Sequence, residues 1–183
     1  MGNVRLYGST SGYTELAPPA IAPDGVLALP TGTGTLATAA YVDAAVAAGG
    51  KILQVVRATD STDRSTTSDS FVDASISVTI TPQKSDSIIL LWWLVYQDPA
   101  NGQYMYNQIS DSSNNALSGA EGSAFGSTAN SMATLLSMIG YSAPATTSAT
   151  TYKGRFRSGE SGLAAQLFNA QNTGQIYAIE VAA

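Results

Sequence analysis

Trp92, Trp93, Tyr96, Tyr104 and Tyr106 crowd into one stretch of the sequence. Aromatic faces like these either stack on the apolar side of a sugar ring or fill a core. Trp92 and Trp93 are adjacent, so on a strand they point opposite ways. One enters the core and the other stands at an interface or in solvent, and the sequence leaves open which. Trp93, Tyr104 and Tyr106 are the candidate surface-contact residues, and a glycan is the ligand that they suit.

Carboxylates are the second source of chemistry. The segment "DSTDRSTTSDSFVD" supplies Asp60, Asp63, Asp69 and Asp73. The Asp/Asn/Gly spacing of a calcium loop is missing, so a solvated loop between two strands accounts for them. A glycosidase needs two carboxylates roughly 5–10 Å apart, and nothing in the spacing singles out a pair. Gly32 and Gly34 lack the lysine and the third glycine of a nucleotide loop. The chain has no His and no Cys. That removes disulfides, thiol catalysis, Cys/His zinc sites and any triad with a histidine base. The expectation is no enzyme, no cofactor and no metal.

Composition narrows the class further. Charged residues make up 11% of the 183, against roughly 25% in an average soluble domain. Ser and Thr fill the gap, together numbering 41. Such a surface suits strands, and it suits faces that pack on neighbours without desolvating ions. Net charge is −5, and the densest basic group is "KGRFR" at 153–157. No concentrated positive footprint exists for nucleic acid. The longest apolar run, "IILLWWLVY" at 88–96, is half the roughly 18 residues of a membrane span, so no membrane insertion is expected. The stretch "MGNVRLYGST" has no apolar run of the secretory type, and Leu6 breaks the myristoylation pattern begun by Gly2.

The elements that would position these residues fall into three sections. Residues 1–36 hold short strands, "VRLYG" (4–8), "GYTEL" (12–16) and "VLALP" (26–30), broken by the prolines of "APPAIAPDG". Strands so short are marginal alone and must lie on another chain or surface. Residues 37–50 read as a short Ala-rich helix, capped by Thr38 and stopped by Gly49. On pattern alone its apolar positions Ala39, Val42 and Val46 suit either docking on its own domain or a threefold axis, and self-association about that axis satisfies helix and strands together. Residues 51–183 are β throughout. Ile76, Val78 and Ile80 alternate with Ser and Thr, while 87–98 is apolar on both faces and so should be buried on both, as in a sandwich centre or a subunit interface. A Gly/Ser-rich stretch, 111–130, read as a loop, separates "YMYNQIS" from "SMATLLSMIGYSA". About eight strands separated by turns predict an antiparallel β-sandwich, jelly-roll-like in count.

Residues 6–46, "LYGSTSGYTELAPPAIAPDGVLALPTGTGTLATAAYVDAAV", resemble the N-terminal pattern of tailed-bacteriophage appendage proteins, with G-S-x-S-G-Y, L-x-L-P and G-x-L-A-T before a short helix. "GKILQVVRATDSTDRSTTSDSFVDASISVTITPQKSDSIILL" is similar to the β-domain opening of the same group. The resemblance covers roughly residues 6–92. It implies a virion protein assembled in the bacterial host cytoplasm: a homotrimer anchored to tail, baseplate or capsid proteins through 1–36, with a stalk at 37–50 and a distal β-sandwich at 51–183. Such sequences occur in tail fibres, minor tail proteins and head decorations; the favoured reading is a short fibre whose distal β-domain makes surface or host contact. The alternative is a capsid decoration (cement) trimer, and a polysaccharide-degrading enzyme ranks below both. Uncharged Gly/Thr sequence before the helix would let three chains approach closely without burying ions.

Overall fold

The computed structural model describes residues 4–7, 10–16, 52–99, 102–126 and 133–183. Among them every regular element is a β-strand. The chain divides into two compact units, Met1–Ala44 and Ala45–Ala183. In the first, β1 (Val4–Tyr7) pairs antiparallel with β2 (Tyr13–Leu16), as the short-strand reading of 4–8 and 12–16 expects. The strand read at 26–30, the stalk helix at 37–50 and its axis residues Ala39, Val42 and Val46 lie outside the described residues.

The second unit is a β-sandwich. Its strands are β3 (Ile52–Asp60), β4 (Arg64–Thr66), β5 (Val72–Ile80), β6 (Ile88–Pro99), β7 (Tyr104–Asp111), β8 (Ala116–Phe125), β9 (Thr134–Ser142), β10 (Thr150–Ser158), β11 (Ala165–Leu167) and β12 (Gly174–Val181). One sheet runs β5-β10-β7-β8; the other runs β3-β12-β6-β9, with the short β11 and β4 continuing from the far end of β6. Every pairing is antiparallel. Leaving β4 and β11 aside, the eight main strands pair as nested partners: β3 with β12, β5 with β10, β6 with β9, β7 with β8. Such a nested ribbon wrapped into two sheets is a jelly roll.

Alternation decides what each sheet buries. Ala74, Ile76, Val78 and Ile80 of β5 point inward, as their spacing predicts. They meet Ile89, Leu91, Trp93 and Val95 of β6 and Ile176 and Ala178 of β12 in one core. The sheets close over Trp93 because Gly154 of β10 has no side chain there. Beside it the ladder slips: Asp73 faces Arg155 and Ser77 faces Lys153, so β5 advances four positions while β10 advances two. Ser75 takes a positive φ of 56° in this bulge, and its N–H donates to Asp73 Oδ1 at 2.8 Å.

In the single chain the strand 87–98 is buried on one face, with Leu90 and Trp92 exposed on the other, so it is not a sandwich centre. Two expectations are corrected. The Gly/Ser stretch is not a plain loop, because residues 116–125 form β8. Here cross-strand pairing with β7 overrides weak propensity, and Gly119 at φ +77° accommodates a bulge. Asp60 is not a solvated loop residue either: it ends β3, nearly buried, 3.0 Å from Arg64.

Candidate functional site

The outward face of the β5-β10-β7-β8 sheet carries the polar chemistry of the sandwich. "KGRFR" is half of β10, and period two sends Gly154 and Phe156 inward and Lys153, Arg155 and Arg157 outward. Register then sets Arg157 opposite Tyr106 and Arg155 opposite Gln108, and on the far side of β7 sets Tyr106 opposite Ser123 and Gln108 opposite Glu121. The chain brings Phe71 to the same place at the entry to β5.

Arg157 sits between two rings. Its guanidinium carbon is 3.9 Å from the Tyr106 ring centroid and 5.3 Å from that of Phe71. At that separation over Tyr106 the cation–π attraction is favourable and fixes the guanidinium plane. Arg157 Nη1 donates to the carbonyls of Ser158 at 3.0 Å and Asp69 at 3.4 Å. Tyr104 extends the row, its ring stacked on Tyr106 at 6.1 Å. Arg155 Nη2 donates to the Phe71 carbonyl at 2.7 Å, and Gln108 Nε2 donates to Glu121 Oε1 at 2.9 Å. The loop after β10 is tied down where Gly159 N–H donates to the Tyr104 carbonyl at 2.7 Å.

Two recesses open on either side of Arg157. One, of about 380 Å³, is lined by Phe71, Tyr106, Asn107, Glu121, Gly122, Ser123 and Arg157. The other, about 790 Å³ and shallower, is lined by Asp69, Ser70, Phe71, Arg155, Arg157 and Gly159. Phe71 and Arg157 form their common wall. Behind the first, between the sheets, Asn107 donates through Nδ2 to Gln97 of the opposite sheet, and its Oδ1 is buried without a partner. Aromatic faces, a fixed guanidinium and a carboxylate at the rim suit a polar ring compound with an apolar side.

The candidate residues divide clearly. Tyr104 and Tyr106 come together on the outer face. Trp93 does not belong with them: it is 0% exposed, packed in the core against Gly154, and its place as a surface-contact residue is withdrawn. Its neighbour Trp92 is the exposed one, on the outer face of the other sheet. Phe71, Gln108, Glu121, Arg155 and Arg157 were not among the candidates. The period-two basic residues of "KGRFR" are the signal that could have found two of them.

The aspartates do not converge. Burial opposes ionisation of Asp60, but Arg64, the Thr62 N–H and the Asn169 amide outweigh it and hold its carboxyl below the usual range. Asp63 Oδ1 accepts the Ala170 N–H at 2.8 Å, and Asp73 faces Lys153 at 3.6 Å. Among the described residues no three acidic groups are gathered to hold a metal ion.

No protein-family model matches the chain, and no curated protein matches it. Among solved structures the chain is similar to the tripod from the baseplate of bacteriophage Tuc2009, at 13% identity over 90% of this chain and 80% of that one, with a TM-score of 0.38. It is also similar to VP2 of infectious bursal disease virus in T=1 particles, at 13% identity over 96% of this chain and 46% of that one, TM-score 0.38. A VP2 subviral particle gives 14% identity over 95% and 47%, TM-score 0.34. This chain thus spans just under half of VP2.

Proposed function

We propose that this chain is a structural protein of a phage virion: a homotrimeric short fibre, attached through residues 1–36, whose sandwich makes contact with a host-surface glycan. The observation that carries the contact role is Arg157 held between Phe71 and Tyr106, with Tyr104 stacked alongside. A guanidinium fixed by two rings presents donors in a set plane at little further entropic cost, which favours recognition of an acidic or polar sugar. The virion role rests on the resemblance of residues 6–92 to phage appendage proteins, and the trimer axis in that reading runs past Ala39, Val42 and Val46. The reading is adhesion: of the two carboxyl residues lining the recesses, Glu121 is engaged by Gln108, and Asp69 lines the other recess across the Phe71–Arg157 wall.

The test is binding of purified protein to envelope polysaccharide from the host. Tyr106→Ala and Arg157→Ala should each weaken binding roughly tenfold, about 1.4 kcal/mol for an anchoring contact. Equal binding by wild type and both variants would remove this site from the account. Release of reducing sugar during incubation would replace adhesion with hydrolysis.

A further inference from the structure

The outer face of the β3-β12-β6-β9 sheet is largely apolar, with Arg57, Ser137 and Gln175 among its polar residues. Register places Val55, Ile179, Leu90 and Tyr141 abreast in one row, and Arg57, Tyr177, Trp92 and Ile139 in the next. Leu135 lies beside Tyr96 at the end of the face, next to a depression of about 240 Å³ lined in part by Leu94 and Gln175. Ile139 is 67% exposed and Leu135 59%. With a whole aromatic side chain worth roughly 150–250 Å², Val55, Leu90, Trp92, Leu135, Ile139 and Tyr141 together leave on the order of 600 Å² of surface open. That reaches the upper end of patches on monomers, about 300–600 Å². It also approaches the roughly 800 Å² that each partner contributes to a stable interface.

Several polar groups on this face are paired within it. Trp92 Nε1 donates to Ser137 Oγ at 2.8 Å, Tyr177 Oη donates to Gln175 Oε1 at 2.7 Å, and Arg57 Nε donates to the same oxygen at 3.1 Å. The Arg57 guanidinium also lies 5.8 Å from the Tyr177 ring. Covering Trp92 and Tyr177 would strand no donor of theirs, while the Arg57 guanidinium, on the edge strand β3, would have to stay at the solvated rim.

We infer that this sheet face packs against another copy of the same chain. A separately made partner would leave the face bare from synthesis until docking, whereas a second copy is present as soon as the first folds. Interfaces that form once and persist are the ones that resemble a core cut in half. The inference deepens the homotrimer reading and rests on it, placing the contact on the sandwich as well as on the stalk.

The experiment uses the full chain. Wild type should sediment as an oligomer at micromolar concentration, and Ile139→Asp should shift it to single-chain mass with unchanged circular dichroism. Because the chain has no native cysteine, Leu135→Cys provides a clean second readout. Its thiol should react roughly tenfold or more slowly in the otherwise wild-type background than when combined with Ile139→Asp. An oligomer that survives Ile139→Asp with a fast-reacting Leu135→Cys would overturn the sheet interface and leave the trimer reading standing. A wild-type monomer would overturn both, including one whose Leu135→Cys reacts slowly, since its own chain would then cover the face. Whether the protein is found on particles is scored separately and bears on the virion reading alone.

Discussion

Trp92 and Trp93 follow one another in β6, yet Trp93 is fully buried between the sheets and Trp92 exposes 43% of its surface on the opposite side. The pair marks the two sides of the second sheet, one closed by Gly154 and the first sheet, the other open. The first sheet has its own outer face, where Arg157 and the tyrosines lie. The sandwich therefore offers two unlike surfaces, one apolar and one polar-aromatic.

Gly154 is required by Trp93. A Cβ at this position would sit 2.8 Å from Trp93 Cζ2 and 2.9 Å from Ile76 Cγ2, both held in the core. Gly154→Ala should therefore destabilise the sandwich by about 1–3 kcal/mol. Urea unfolding would show this as a lower midpoint with an unchanged slope. An unchanged midpoint would mean that the sheets are free to part at this point.

Glu180 makes stability depend on acid. Burial pushes its carboxyl up, but Gln54 Nε2 at 2.6 Å and the backbone N–H groups of Gln83 and Lys84 at 2.8 and 3.3 Å more than offset that, leaving it below the usual range. The folded carboxyl then binds fewer protons than the unfolded one, so stability rises with pH between the two values. The contribution is complete above the ordinary value of about 4.3 and is lost as pH falls through the folded one. Asp60 acts in the same direction. Glu180→Gln should cost about 1–3 kcal/mol near neutrality through unpaired buried donors. Unfolding midpoints measured from neutral to acid pH should show that deficit shrinking at the acid end.

Arg157 tests geometry against charge. Arg157→Lys keeps the charge but loses the planar stack between Phe71 and Tyr106. It should bind envelope glycan nearly as weakly as Arg157→Ala, while both keep a melting temperature within a few degrees of wild type. Full binding by the lysine variant would reduce the site to a point charge.

How far the sequence foretold this depends on the kind of signal. Ile76, Val78 and Ile80 announced their face because serines and threonines fill the alternate positions. β6 announced nothing about which face is inward, because Leu90 and Trp92 are as apolar as Leu91 and Trp93. β8 was hidden by its glycines and serines, which pair as a strand only because β7 lies alongside. The Arg157 cluster joins β10 to Tyr104 and Tyr106 of β7 and to Phe71 just before β5, and only the register of β10 on both neighbours reveals that they meet.

Residues 1–36 carry attachment in this account. Deleting them should leave a soluble sandwich that binds glycan as the full chain does and no longer incorporates into particles. Incorporation of the truncated protein at wild-type level would place the attachment elsewhere.

The most direct test is the protein's position on purified particles. Gold-labelled antibody raised against residues 52–183 and viewed by electron microscopy should mark the tail, at the same place on each particle. Label spread over the capsid faces would contradict the fibre and favour decoration, and particles bare of label would contradict the virion role itself.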